Sequence, residues 1–420
     1  MNNFPPIVDY KTFNFFTSTK HFSYNNFNKH GDFICDPTKT NPNIIAHIFE
    51  DNWDNYYLKF KSWVDKYKPN ANDEVNKMID CYNKNLGFDL YICEDCNECF
   101  TCAHTCKSRF CSSCGIKYQN NLCESILQTA HKVKHRQIVF TMAKELWPLF
   151  FDDFNAINVL YEAVADTLYS VVNGKVKKTK NNKFKNRKHY SKVPGFWSFL
   201  HTFGRDLKWH PHIHVLIAES IFNGNVFKNY NYFDYDALSR RFQVNLLYKL
   251  DNYFGKTFFS KIKNQLFLKY KKGFYVYAEP KIFKSLEDGV KYVTRYSSRP
   301  CIGLKRILNY DGDNVTFCFN VHKDNIYHEV TLPVFEFITL LIGHLIPKNF
   351  RTIRAYGFYN KKHRFAKKVI NMIDKALHKV RKQALSYFNY IKSSFNKNPL
   401  ECPSCGKIMA YQFKVLKGFG

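Results

Sequence analysis

Nine of the chain's 14 cysteines fall between Cys81 and Cys123, and that crowding constrains the fold more than any other feature. It contains Cys93-x2-Cys96 and Cys111-x2-Cys114, with fourteen residues between the pairs. Two such pairs joined by a short loop are the pattern of a four-thiolate zinc site. Zinc takes four soft ligands in a tetrahedron, and a two-residue spacer lets both thiols of a pair reach one ion. Cys81, Cys99, Cys102, Cys106 and His104 are surplus ligands that could complete a second site. Spacing alone does not say which thiol serves which ion. Cys402-Pro-Ser-Cys405 is one more knuckle, alone only half a site. No secretory leader is visible, and no apolar run approaches the ~20 residues of a membrane span. A cytoplasmic, reducing location follows, in which clustered thiols read as metal ligands rather than disulfides.

Charge narrows the partner. There are 63 Lys and Arg against 35 Asp and Glu, a formal net charge of +28. Such a surplus points to a polyanion, and nucleic acid is the commonest one. Aromatic residues make up 18% of the chain, and rings beside cations suit single strands, whose bases stack while phosphates are neutralised.

The second informative stretch is Trp209–Ala218, WHPHIHVLIA. Its aliphatic tail reads as a buried strand. Residues two apart on a strand share a face, so His212 and His214 would present two imidazoles together, with Ile213 turned into the core. Two imidazoles so spaced can hold one divalent metal. The plain alternative is a strand with two hydrogen-bonded histidines. Gly195–Phe203 reads as an antiparallel neighbour across a Gly204-Arg205-Asp206 turn.

Helical periodicity is expected over Ile44–Tyr67, Asp73–Ile79, Glu124–Lys134, Glu145–Val172, Asp236–Tyr253, Leu286–Arg299, Pro333–Leu345 and Lys361–Tyr390. Strands are expected over Arg136–Met142 and Gly273–Glu279, and a hairpin over Cys301–Asn320 around Asp311-Gly312. The helix at Leu286–Arg299 carries Tyr292 and Tyr296, four apart and so on one face. Core packing is the plain reading of such a pair. The segment 175–192 is rich in Lys and Arg and has no acid. With Lys177 and Lys178 it reads as an exposed, phosphate-tracking arm, or simply as a solvated charge run.

In this order the pieces resemble a family. Cys81, Leu86-Gly87, Cys93-x2-Cys96 and Cys106-x2-Arg109-x-Cys111-x2-Cys114 look like its zinc-binding region. His201-Thr-Phe-Gly-Arg205 and His210-Pro-His212-Ile-His214 are similar to its histidine block. Tyr275-Val-Tyr-Ala278 with Tyr292-x3-Tyr296-x2-Arg299 matches its tyrosine block, and Leu345-Ile-Pro347 and Arg354-x2-Gly357 follow. The chain resembles the rolling-circle transposases of the insertion-sequence-91 type, two-tyrosine members of the HUH (His-hydrophobe-His) endonucleases. It departs from them at Asn97, Phe110 and Ser112, where Gly, His and Pro are usual.

The resemblance implies an α+β fold. A small Cys-rich zinc-binding domain precedes an HUH domain, an antiparallel sheet with flanking helices, and a helical C-terminal region follows. It divides the chain into a loose leader at 1–45, a helical and zinc-binding, DNA-recognition domain at 46–130, a catalytic domain at 131–332 and a basic helical region at 333–420. It implies metal-dependent nicking and strand transfer of single-stranded DNA through a 5′-phosphotyrosine on Tyr292 or Tyr296. Magnesium or manganese would sit on His212 and His214, with His201 or Asp206 as third ligand, and zinc would be structural. Arg109, Arg205, Arg295 and Arg299 would face DNA. The absence of a Gly-x4-Gly-Lys-Ser/Thr loop fits an enzyme without a nucleotide cofactor. Three rivals share parts of this pattern: a rolling-circle replication initiator or relaxase, a non-catalytic zinc-dependent DNA-binding regulator, and a zinc hydrolase using His-x-His.

Overall fold

Strand pairing around the histidine run organises the molecule. The structure is a computed structural model that describes residues 43–83, 86–131, 133–174, 190–278, 285–298, 300–320, 327–372, 398 and 400–416. Its central strands are β4 (Val193–Phe203) and β5 (Trp209–Phe222), joined by the expected turn and paired antiparallel. β3 (His135–Thr141) lies on the other side of β5, and β7 (Val276–Tyr277) pairs with β3. β11 (Ile353–Gly357) pairs with β4, and β6 (Phe227–Asn229) with the end of β5. The order is β11-β4-β5-β3-β7, antiparallel throughout.

Strand alternation divides this sheet's side chains between two cores. On one face Ile138, Phe140, Phe196, Leu200, Ile213, Val215 and Ile217 pack on α5 (Ile157–Val172) and α6 (Tyr235–Phe254). On the other, Trp197, Phe199, Leu216 and Ala218 meet α3 (Ser112–Thr129) and α8 (Leu286–Ser298). β5 is therefore covered on both faces, which is why its sequence reads as a continuous apolar run.

A third core lies outside the sheet. Ile45, Ile48, Phe49, Trp53, Tyr56, Phe60 and Val64 form the buried stripe of α1 (Ile44–Tyr67). They pack with α2 (Ala71–Ile79), the sheet β8 (Ile307–Tyr310), β9 (Asn314–Asn320) and β10 (Tyr327–Pro333), and α9 (Val334–Gly343). A last three-stranded sheet runs β12-β1-β2, from β1 (Gly87–Ile92), β2 (Cys99–Ala103) and β12 (Ala410–Leu416). Residues 44–79 thus pack with 307–343, and β12 joins the sheet of the Cys-rich segment.

Several local expectations change. Glu145–Val172 is not one helix: α4 (Trp147–Asp152) and α5 are separate. Pro148 has no N–H and belongs in a first turn. Asp153 then takes extended φ/ψ, and its side chain accepts the Asn155 N–H. α3 starts at Ser112, well before Glu124, and α7 (Lys256–Lys269) follows α6 unannounced by its weak periodicity. Gly273–Glu279 contributes only two strand residues. The hairpin at 301–320 gains β10 as a third strand. The described part of the C-terminal region holds strands as well as helices. α10 covers Ala366–Met372, but β11 enters the main sheet and β12 joins β1. Gly357 is required there: its φ is +62°, and a Cβ would lie 1.5 Å from the Pro194 carbonyl oxygen. The remainder of Lys361–Tyr390, most of the leader and 175–189 lie outside the described residues. Among the described residues no helix is long and apolar enough to cross a membrane.

Candidate metal and nucleophile site

The β4–β5 register places His201 opposite His212 and Phe199 opposite His214. All three imidazoles project from the face that α8 covers. Their nitrogens lie within 4.8 Å of one another. Ring centroids are 4.0 Å apart for His201–His214, 5.0 Å for His212–His214 and 5.3 Å for His201–His212. Burial holds His201 and His214 well below the usual imidazole range and brings His212 down to about 4. All three are therefore neutral at neutral pH, the form that has a nitrogen lone pair to give a metal.

Each ring has a partner that sets its orientation. His212 Nδ1 donates to the His210 carbonyl at 2.7 Å, which leaves Nε2 as the lone-pair nitrogen. His214 Nδ1 lies 2.7 Å from Nε2 of the Gln137 amide, on β3, and turning that amide brings Oε1 there instead. Only with the amide oxygen against an Nδ1–H does His214 keep its lone pair on Nε2. The backbone of Val293, on α8, faces His201 and partly offsets the lowering by burial. Of the two candidate third ligands, His201 joins the group. Asp206 stays at the turn, where Oδ1 accepts the Lys208 N–H at 3.2 Å. His210 packs on Trp147, with ring centroids 4.5 Å apart, and is outside the group.

α8 begins with a reciprocal cap: Ser285 Oγ accepts the Asp288 N–H at 3.1 Å and donates to its carboxylate at 2.9 Å. Val290, Val293 and Thr294 are buried against the sheet and α3. Thr294 Oγ1 is 3.0 Å from Cys123 Sγ, and Gln119 Nε2 donates to the Lys291 carbonyl at 3.2 Å. Tyr292 is half-buried beside Val293. Tyr296 is one helical turn on; its side chain and that of Arg295 lie outside the described residues, as do Arg299, Lys177 and Lys178.

The cysteines sort differently from the expectation. Cys93–Cys96 and Cys111–Cys114 do not share a site. Cys111 and Cys114, at the start of α3, meet Cys81 and Cys106, with sulfurs 3.5–3.7 Å apart. Cys93 and Cys96 meet Cys402 and Cys405 instead. Cys99 and Cys102 sit on β2 outside both groups. His104 is spent on structure: Nδ1 bonds the Leu86 carbonyl at 3.0 Å, and Nε2 lies 3.4 Å from Asp89. Its spacing carried no signal of that role.

Two clefts open elsewhere on the surface, neither lined by His201, His212 or His214. One of about 400 Å³ is lined by Lys77, Lys107, Arg109, Tyr118, Thr202 and Lys348. In it Arg109 donates to Thr352 Oγ1 at 2.6 Å. The other, about 530 Å³, is lined by Trp147, His210, Tyr270, Lys272 and Tyr275. Tyr275 is 63% exposed, its ring parallel to that of Tyr277 at 5.9 Å. These stacked phenols were not singled out as functional from sequence. Arg205 is exposed at the β4–β5 turn and donates to the Asn320 carbonyl at 3.1 Å.

Residues 48–142 match the family model described as "Transposase zinc-binding domain", and residues 195–367 the one described as "Putative transposase". The "Transposase for insertion sequence element IS801" of Pseudomonas savastanoi pv. phaseolicola is 25% identical over 364 residues, covering 81% of this chain and 82% of that protein. "Putative transposase y4qJ" of Sinorhizobium fredii is 25% identical over 303 residues, covering 68% of this chain and 73% of that one. No solved structure matches.

Proposed function

We propose that this chain, which belongs to the insertion-sequence-91-type transposases and carries their N-terminal zinc-binding domain, nicks and rejoins single-stranded DNA through a tyrosine on α8. The observation that carries the reading is the packing of α8 over the sheet face from which His201, His212 and His214 project. It ties a three-imidazole group to the helix bearing Tyr292 and Tyr296.

The donor set fits a divalent metal. His201, His212 and His214 would hold it through neutral nitrogens, and when bound it supplies Lewis-acid polarisation of a phosphate oxygen. Three imidazoles without a carboxylate suit manganese better than magnesium, which prefers oxygen ligands. The chain's own residues do the rest. One phenol loses its proton and attacks phosphorus. An O–P bond to tyrosine forms, the P–O3′ bond breaks, and the 3′ oxygen leaves as a hydroxyl. The bond energy is kept in the phosphotyrosine, so a second 3′ hydroxyl can reverse the step without ATP. Two tyrosines one turn apart allow two such steps in succession. The basic cleft at Lys77, Lys107, Arg109 and Lys348 suits a phosphate track, and the Tyr275–Tyr277 pair suits base stacking.

Trapping tests this. Wild-type protein incubated with labelled single-stranded element ends and manganese is expected to form a denaturant-resistant adduct, which Tyr292→Phe/Tyr296→Phe abolishes. Undiminished adduct in the double variant overturns the proposal.

A further inference from the structure

Residues 402–405 lie outside both stretches that the family models match. They face Cys93 and Cys96 across more than three hundred residues of chain. Cys93 Sγ is 3.4 Å from Cys405 Sγ, and Cys96 Sγ is 3.5 Å from Cys402 Sγ. The edge of a tetrathiolate zinc site with ~2.3 Å Zn–S bonds is ~3.8 Å. All four sulfurs lie within 4.8 Å of one another.

The two knuckles have the same backbone form. The Cys93 carbonyl accepts the Asn97 N–H at 2.8 Å, and the Cys93 N–H donates to the Glu98 carbonyl at 2.9 Å. In the second knuckle the Cys402 carbonyl accepts the Gly406 N–H at 2.9 Å, and the Cys402 N–H donates to the Lys407 carbonyl at 2.7 Å. Each turn closes through a left-handed residue at the same place: Asn97 has φ +56° and Gly406 has φ +74°. Asn is the side chain that tolerates that region best after Gly, so Asn97 serves the turn where the family usually has Gly. The arrangement is a two-fold-like pair of knuckles that present four thiols to one another.

What surrounds them is too small to hold the ends together by packing alone. The local core is Cys93, Cys402 and Met409, with Tyr91 and Phe100 against it. β12 pairs with β1 from Gly87↔Leu416 to Ile92↔Ala410, and the Lys407–Asp95 ion pair at 2.5 Å is solvent-exposed and adds little. A three-stranded sheet with so small a core needs a staple, and metal affinity becomes folding free energy.

We propose that Cys93, Cys96, Cys402 and Cys405 bind a second structural zinc ion. It would clasp the C-terminal strand to the N-terminal zinc-binding module, so that the module is completed only by the end of the chain. The first zinc would lie on Cys81, Cys106, Cys111 and Cys114. This assignment does not depend on the nicking reaction.

Metal content of the purified full-length protein, measured by elemental mass spectrometry, tests it. Wild type is expected to hold one zinc ion per chain more than Cys402→Ser/Cys405→Ser, and Cys405→His as many as wild type, since imidazole replaces a thiolate ligand. Hydrogen exchange of β12 and β1 is expected to accelerate at least tenfold in the double serine variant while that of β4 and β5 is unchanged. Equal zinc content in wild type and the serine variant, or a Cys405→His protein no better than Cys405→Ala, would each overturn the clasp. Should the serine variant lose protection in β4 and β5 as well, the Cys405→His and Cys405→Ala comparison decides.

Discussion

Gln137 is the residue whose role at the histidine group can be tested most sharply. It is buried on β3, and its amide is 2.7 Å from His214 Nδ1. Its Oε1 has no hydrogen-bond partner as placed, and turning the amide exchanges the two atoms. With oxygen toward the ring, Gln137 accepts from Nδ1–H and leaves Nε2 of His214 to ligate. Gln137→Met removes that acceptor at nearly constant volume. The ring can then take its other tautomer, which places the proton on the ligating nitrogen. Loss of such a supporting partner typically costs 10–100-fold in metal affinity, about 1.4–2.8 kcal/mol. Gln137→Glu keeps an acceptor at the same place and is expected to stay within a few-fold of wild type. The assay is the manganese concentration giving half-maximal nicking of a labelled single strand, with thermal midpoints checked in parallel. Equal half-saturation for Gln137→Met and wild type would refute the reasoning, and so would a Gln137→Glu enzyme as impaired as Gln137→Met.

Three further outcomes are expected. His135 and His344 are each brought down to about 4 by burial, below the ~6.5 of an exposed imidazole. The unfolded chain takes up protons that the folded chain refuses, so stability is full above pH 6.5 and falls as pH drops toward 4. Each histidine can cost up to about 3 kcal/mol over that window, and a urea midpoint independent of pH between 6.5 and 4.5 would contradict it. Gly357→Ala forces a Cβ onto the Pro194 carbonyl at positive φ and should destabilise the β11–β4 seam by roughly 2–4 kcal/mol, read by chemical denaturation; a neutral change would mean the strand edge yields freely. Tyr275→Ala should weaken single-strand binding by about 1–3 kcal/mol, seen in KM rather than kcat, if its exposed ring stacks a base.

Much of the candidate site is legible in the sequence because its signals are local. A period of two put His212 and His214 on one face. A period of 3.6 put Tyr292 and Tyr296 together on one helix, and Ser285 with Asp288 marked its start. The turn at Gly204–Asp206 made β4 and β5 neighbours. Each of these is decided within about ten residues, where backbone geometry alone relates one side chain to the next.

What only the tertiary structure decided is which distant residues meet. His201 and Asp206 were equal candidates until the pairing register set His201 across from His212 and left Asp206 in the turn. Gln137 meets His214 from another strand that no spacing connects to it, and α8 covers the group from a third element. Thiol spacing marked zinc correctly but not the partition of the cysteines. The two adjacent pairs look like one site along the chain, yet α3 carries Cys111 and Cys114 toward Cys81 and Cys106, and β12 brings Cys402 and Cys405 to Cys93 and Cys96. Local pattern specifies what a residue can do. The choice of partner belongs to the closure of long loops, and its outcome depends on the packing of the whole chain.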